Sequence, residues 1–81
     1  MRVVAEIAHH QAHISIFSFN LKYLIKIERG PLEQTYKISQ LDYLIPDLEA
    51  VKRLAEDRFL PLALEVFARM EEGFGKAMED F

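Results

Sequence analysis

Apolar and polar residues alternate along the first half of the chain in the pattern that predicts β-strands. Tyr23, Ile25 and Ile27 alternate with charged residues, with Leu24 as the one exception, and a half-buried strand shows this period of two. Runs rich in Val, Ile, Phe and Tyr recur four times, and turn-forming breaks separate them. The predicted strands are Val3–His9, His13–Phe19, Lys22–Arg29 and Leu32–Ile38, with breaks at Gln11-Ala12, Asn20-Leu21 and Gly30-Pro31.

The second half shows the spacing of three and four residues that is typical of amphipathic helices. Pro46 or Asp47 is predicted to begin a short helix, and Pro61 fits the first turn of a longer one. The whole chain is therefore predicted to be one α+β domain, residues 1–81. A four-stranded antiparallel meander (1–38) precedes a helical part (39–81) with a short helix and a long amphipathic C-terminal helix. The apolar positions of the long helix are Ala63, Val66, Phe67, Met70, Phe74, Met78 and Phe81.

The hairpin loops predict which residues share each face of the sheet. One face collects most of the aliphatic side chains and is the predicted core face, which the long helix covers. The predicted core face consists of Val3, Ala5, Ile7, Ile14, Ile16, Tyr23, Ile25, Ile27, Tyr36 and Ile38. The assignment of both faces rests on predicted cross-strand pairs. These pairs are Ile7 with Ile16, Val4 with Phe19, Ile16 with Ile25, Phe17 with Leu24, Ile25 with Tyr36 and Tyr23 with Ile38.

The opposite face of the sheet carries an apolar patch that a solvated face rarely shows. Val4, Phe17, Phe19 and Leu24 fall on it, among polar and charged residues. Because cross-strand neighbours lie about 5 Å apart, these side chains are predicted to form one contiguous surface. Three interpretations remain open: the short helix covers the patch, the register is shifted by one residue, or the patch is a docking or dimerisation surface.

The composition is that of a small folded domain, with 81 residues of which 51% are hydrophobic and 28% charged. A chain of this length buries only about 60–65% of its unfolded surface, which favours association with a partner subunit. The absence of cysteine excludes disulfide bonds, thiolate nucleophiles and iron–sulfur clusters. Five basic and three acidic side chains give residues 1–38 a charge of +2, whereas residues 39–81 carry −5, for a total of −3.

The N-terminal residues lack the pattern of a secretory signal, since Glu6 interrupts the first apolar stretch. The longest apolar run, from Ile14 to Ile27, contains two serines, an asparagine and two lysines, so it is not a transmembrane helix. A cytoplasmic protein without a membrane partner is therefore expected.

Candidate chemistry is sparse, and the chain is predicted not to be an enzyme and to need no cofactor. No nucleophile motif and no glycine-rich phosphate loop occurs in the sequence. His9, His10 and His13 are weak candidates for a metal site, because His10 and His13 would face each other across a tight hairpin. No nearby cysteine or aspartate completes a ligand set, so no metal site is predicted.

These observations predict a protein–protein interaction domain that self-associates or docks into a larger assembly. The alternative is a sheet-face binder of single-stranded nucleic acid, in which aromatic rings stack on bases while lysines hold phosphates. The predicted partner-binding residues are either Val4, Phe17, Phe19 and Leu24 on the sheet face, or Met70, Phe74, Met78 and Phe81 at the far end of the C-terminal helix. The nucleic-acid alternative uses Phe17, Phe19, Lys22, Lys26 and Lys37.

The segment from Tyr23 to Ile38, YLIKIERGPLEQTYKI, is the most distinctive stretch of the chain. Together with the run Ile14–Phe17 before it and Phe59-Leu60 after it, it resembles a group of short conserved bacterial proteins of the Bacteroidetes type. The resemblance runs over nearly the whole chain and rests on strand residues and a turn. It implies a free-standing cytoplasmic protein and supplies no activity.

Overall fold

A four-stranded antiparallel sheet is followed by one helical rod, and the computed structural model describes all 81 residues. The sheet has the order β1-β2-β3-β4, so every strand pairs with its neighbour in sequence. The elements are β1 (Arg2–His9), β2 (Ala12–Phe19), β3 (Lys22–Arg29), β4 (Leu32–Ser39), α1 (Leu48–Leu54), a π-helical segment (Ala55–Phe59) and α2 (Leu60–Ala77). The predicted α+β architecture is confirmed.

Two-residue turns connect the four strands, each of which is eight residues long. At the turn between β2 and β3, Asn20 and Leu21 have φ angles of 48° and 60°. Two consecutive left-handed residues match the twist of the flanking strands, and this turn favours Asn and Gly. Asn20 therefore suits its position, whereas Leu21 holds a backbone conformation that its Cβ disfavours.

The predicted strand pairing is confirmed for two of the three hairpins. Ile25 lies between Ile16 on one side and Tyr36 on the other, as expected. Between β1 and β2 the predicted pairing is wrong, because Ile7 faces Ile14 rather than Ile16. The turn of this hairpin lies at residues 10–11, one position earlier than expected. A residue of β1 such as Ile7 therefore pairs with a β2 residue two positions earlier than predicted.

A β-bulge near the start of β1 corrects the predicted positions of two valines. Val3 pairs with Phe17 and Ala5 with Ile16, so Val4 is an extra residue without a partner of its own. Val4 packs against the core, whereas Val3 is 49% exposed on the other face. The sequence pattern predicts Val3 on the core face and Val4 on the opposite face. These two positions are wrong, because strict alternation from Ala5 assumes that β1 has no bulge.

The helical rod begins where the sequence predicts and then continues without a loop. The side chain of Asp47 accepts a hydrogen bond from the backbone N–H of Ala50 at 2.9 Å, which caps α1. Pro61 lies in the first turn of α2, directly after the π-helical segment. Proline lacks an N–H and clashes with the carbonyl of the preceding turn. The wider π-helical turn accommodates Pro61, so the two predicted helices join into one rod.

The rod packs on one face of the sheet, which we call the inner face, and forms a single core there. Arg29, Gln34 and Tyr36 contact successively earlier residues of the rod, so the rod runs antiparallel to β4. The ten core residues are Ile14, Ile16, Ile25, Ile27 and Ile38 from the sheet and Val51, Ala55, Leu60, Ala63 and Phe67 from the rod. Ala5, Ile7, Tyr23 and Tyr36 pack against them as expected, and only Val3 leaves the predicted core face.

Candidate interaction surfaces

The face of the sheet opposite the rod, which we call the outer face, presents an apolar row across three strands. Val3 pairs with Phe17 and Phe17 with Leu24, and the row ends at Lys37 on β4. Phe19, which pairs with Lys22, lies one row nearer the end of β2. We call Val3, Phe17, Phe19 and Leu24 the outer patch.

No helix or strand covers the outer patch. Phe19 is 44% exposed, and Phe17 and Leu24 are half-buried by their neighbours in the sheet. The interpretation in which the short helix wraps round the patch is wrong, because α1 buries Val51 in the core on the inner face. Val4 does not belong to the patch, and the bulge puts Val3 in its place.

The charged side chains on the outer face change from basic to acidic along the strands. Lys22 and Lys37 lie beside the apolar rows, as the nucleic-acid alternative expects. Lys26 lies in the next row toward the other end, with its ammonium group 3.9 Å from the carboxylate of Glu28. Glu28 pairs with Glu33 in the last row, so that end of the face is acidic. The lysines are therefore balanced by carboxylates on the same face.

The three histidines do not converge on one point. The rings of His9 and His10 stack with their centres 4.3 Å apart. His13 pairs with Ala8 instead of His10, and its Nε2 lies 3.2 Å from a carboxylate oxygen of Glu6. The expectation that His10 and His13 face each other is wrong, because the turn occupies residues 10–11. No group of three or more His, Asp or Glu side chains is arranged to hold a metal ion.

The C-terminal part of α2 extends past the end of the sheet. Glu71 makes the last side-chain hydrogen bonds between α2 and the sheet. Both of its carboxylate oxygens accept hydrogen bonds from the guanidinium of Arg29, at 2.7 and 3.1 Å. The rod from Leu48 to Ala77 is about 45 Å long, whereas a strand of this sheet spans about 27 Å. The longest dimension of the molecule is 48 Å, in agreement with an overhang.

The overhang, residues 71–81, leaves predicted contact residues exposed. Phe74 is 44% exposed, Met78 46% and Phe81 99%, while Met70 is half-buried against the core. The overhang leaves the sheet at the Gly30 end, whereas Phe19 lies at the opposite end and on the other face. The two predicted contact surfaces are therefore separate: the outer patch lies on the sheet, and the overhang lies beyond the other end of the sheet.

An apolar groove beside β4 was missed by the sequence analysis. It has a volume of about 430 Å³, and seven of its eight lining residues are hydrophobic. The signal in the sequence was the apolar content of the loop after β4, where Tyr43 is 64% exposed and Leu44 fully exposed. The groove is lined by Tyr36, Lys37, Ile38, Tyr43, Leu44, Ile45, Leu54 and Phe59.

Comparison of this chain with protein-family models, with curated proteins and with solved structures finds no match. None of its helices combines the length and the hydrophobicity needed to cross a bilayer. The physical properties of the outer patch, the overhang and the groove are therefore the basis for a functional proposal.

Proposed function

We propose that this chain is a non-enzymatic interaction domain that self-associates or docks as a subunit of a larger assembly. The observation that carries this proposal is the outer patch, in which four large apolar side chains lie together with no element over them. Contiguous apolar patches larger than a few hundred Å² are uncommon on soluble monomers and mark interaction sites. The resemblance noted above implies the cytoplasm, and this localisation is part of the proposal.

The outer patch alone supports only weak association. Burying a partly exposed Val, Leu or Phe side chain contributes about 1 kcal/mol, so eight such side chains in a symmetric pair contribute about 8 kcal/mol. The loss of translational and rotational freedom costs about 4–15 kcal/mol. At most about 4 kcal/mol remains, so a pair held by this patch alone would have a dissociation constant of about 1 mM or weaker.

The molar mass of the protein, measured from micromolar up to about 1 mM concentration, tests self-association. We expect light scattering or sedimentation to give a mass that rises above that of the monomer toward the upper end of this range, and a lower mass for Phe17→Ser. Leu41→Ser is the control, because Leu41 is 81% exposed but lies outside the outer patch. A wild-type protein that is still monomeric at about 1 mM, with a Phe17→Ser variant of the same mass and solubility, would refute self-association through this face.

Single-stranded nucleic-acid binding is the second candidate, and it is supported by the cross-strand pairs on the outer face. Lys22 pairs with Phe19 and Lys37 pairs with Leu24, so two lysines occupy strand positions next to apolar residues. We expect retention on single-stranded DNA or RNA at about 50 mM salt, where phosphate contacts are strong. Substitution of Lys22, Lys26 and Lys37 together should abolish retention, whereas substitution of Lys52 and Lys76 on the rod should preserve it. Absence of retention by the wild-type protein would eliminate this candidate.

A further inference from the structure

The free edge of β4 is regular over the whole length of the strand. The strand order β1-β2-β3-β4 leaves one edge of β1 and one edge of β4 without a partner strand. β1 contains a bulge that interrupts its edge, whereas β4 pairs with β3 over all eight of its residues without a shift in register. A regular free edge can pair with a strand of another chain, and bulges oppose such pairing. β4 is therefore the edge at which a further strand can add.

Alternate residues of β4 direct their backbone N–H and C=O groups to this free edge. A two-residue turn joins β3 to β4, and the residues that flank such a turn, Arg29 and Leu32, form a hydrogen-bonded pair. The N–H of Gln40 donates to the carbonyl of Leu21 at 2.8 Å, in phase with this pattern. Even-numbered residues of β4 therefore bond to β3, and odd-numbered residues face away from it.

Three residues of β4 have backbone groups that nothing in the chain uses. The carbonyl of Ser39 accepts hydrogen bonds from the backbone N–H groups of Asp42 and Tyr43, both at 3.2 Å, so the following loop ends the free edge there. The turn, loop and cap hydrogen bonds leave the other odd-numbered residues free. These residues are Glu33, Thr35 and Lys37.

A second β4 strand can bond to all of these free groups in one antiparallel register. In this register Thr35 faces Thr35 of the second copy across a two-fold axis, and each Glu33 faces a Lys37. Each of the three pairs exchanges two hydrogen bonds, which gives six in total. The register centred on Thr35 thus satisfies every free N–H and C=O group of the edge.

The same register brings opposite charges together on the outer face. Glu33, Thr35 and Lys37 are all exposed there. Charged side chains in an edge strand normally oppose pairing with another strand. Here each Glu33 faces Lys37 of the other copy, and cross-strand pairs of opposite charge are stabilising. Registers centred on Glu33 or on Lys37 would pair like charges, so charge favours the register that the hydrogen-bonding groups favour.

The inner face is also compatible with this register. Leu32 of each copy faces Ile38 of the other, and both side chains are apolar residues that pack against the core in the single chain. The sheet residues of the core come from β2, β3 and β4, so the rod lies above β3. At about 4.8 Å between strands, each rod lies about 7 Å from the two-fold axis and the two rods are about 14 Å apart. Packed helices need only about 8–10 Å, so both rods fit on one face.

We infer that two copies of this chain pair through β4 and form a continuous eight-stranded sheet with both rods on the same face. The inference rests on the proposed self-association, but it uses the edge of β4, whereas the outer patch lies on β1, β2 and β3. Glu33, Thr35 and Lys37 are the residues that set the register.

Two charge-reversal variants test the register. Glu33→Lys puts lysine opposite lysine in the dimer, and Lys37→Glu puts glutamate opposite glutamate. Each variant alone should dimerise about tenfold more weakly than the wild type in sedimentation at about 50 mM salt. An equimolar mixture of the two should recover the dimer, because residues 33 and 37 then face opposite charges in both pairs. Glu65→Lys and Arg69→Glu, on the exposed side of α2, are the matched controls and should leave the dimer unchanged.

Proline substitutions test the edge itself. Proline is tolerated in an edge strand where the N–H faces away from the sheet, as the N–H of Thr35 does. Thr35→Pro should therefore abolish the dimer and leave the far-UV circular dichroism of the monomer unchanged. Ala8→Pro is the matched control, because Ala8 lies next to the turn-flanking residue His9 and its N–H faces the free edge of β1. The dimer should persist in Ala8→Pro.

The outcomes separate this inference from the proposed function. A dimer that each charge reversal weakens and that the mixture restores supports both. A dimer that is unaffected by the charge reversals and by Thr35→Pro, but is lost on Phe17→Ser, overturns pairing through β4 and leaves self-association standing. A protein that remains monomeric up to about 1 mM overturns both.

Discussion

Phe67 and Phe74 form a natural matched pair for testing how the rod is stabilised. They lie seven residues apart on the same face of α2, and both are phenylalanines. Phe67 is completely buried in the core, whereas Phe74 is 44% exposed beyond the end of the sheet. Replacing each with alanine therefore compares the same chemical change in two environments.

Phe67→Ala should remove a large part of the stability of the domain. Truncation of a fully buried phenylalanine costs about 3–5 kcal/mol, because apolar burial is lost and a cavity remains. The guanidinium carbon of Arg29 lies 5.6 Å from the centre of the Phe67 ring, so a cation–π contact is lost as well. A domain of 81 residues has about 4–12 kcal/mol in total. At about 4–8 °C per kcal/mol, Tm should fall on the order of 20 °C.

Phe74→Ala should change the stability of the monomer by less than about 1 kcal/mol. Its partly exposed ring loses little burial when truncated. Alanine also has the higher helix propensity, which offsets part of that loss by about 0.5 kcal/mol.

Urea denaturation followed by far-UV circular dichroism is the appropriate assay, since the chain lacks tryptophan. The two variants and the wild type are compared at about 1 μM and about 100 μM protein, with ΔG obtained by linear extrapolation. Equal losses for Phe67→Ala and Phe74→Ala at about 1 μM would refute the assignment of the core and the overhang. A Phe67→Ala variant as stable as the wild type would do the same.

Two further predictions concern local features of the sheet and the rod. Leu21→Gly should stabilise the protein by about 1 kcal/mol in the same assay, because glycine tolerates the positive φ of this turn position and Leu21 is 59% exposed; an unchanged or lower stability would contradict the strain argument. A double-mutant cycle on Arg29 and Glu71 should give a coupling of about 0.5–1 kcal/mol that decreases at 1 M salt, because the pair is partly exposed; a coupling that is independent of salt would contradict this assignment.

Much of the fold could be predicted from local sequence features. Strand positions follow from alternation and from β-branched and aromatic residues. The short turns at Asn20-Leu21 and Gly30-Pro31 each fix the register of one hairpin. The two errors in the predicted sheet also have local causes. The β1–β2 register is wrong because the turn lies one residue earlier than predicted, and the faces of Val3 and Val4 are wrong because β1 contains a bulge. A bulge has no strong sequence signal, because the extra residue is identified only by the partner strand.

The candidate surfaces were less predictable than the elements that carry them. Phe17, Phe19 and Leu24 were correctly expected on one face, since their positions follow from strand periodicity. Whether a helix covers that face depends on which side of the sheet the rod packs against. The alternation of residues along a strand does not predict that side. The groove was not predicted at all, because its walls come from β4, the following loop and the rod.

The strands and helices of this protein follow from local sequence patterns, since hydrophobic periodicity, turn residues and helix-start signals act over only a few neighbours. The sequence also determined that no cysteine chemistry operates here. Which apolar surfaces remain uncovered depends on how these strands and helices pack together. Exposure depends on which elements pack together, and here a rod longer than the sheet leaves Phe74 and Met78 outside the core. The surplus of hydrophobic residues is a property of the sequence, but its location on the outer patch, the groove and the overhang is a property of the fold.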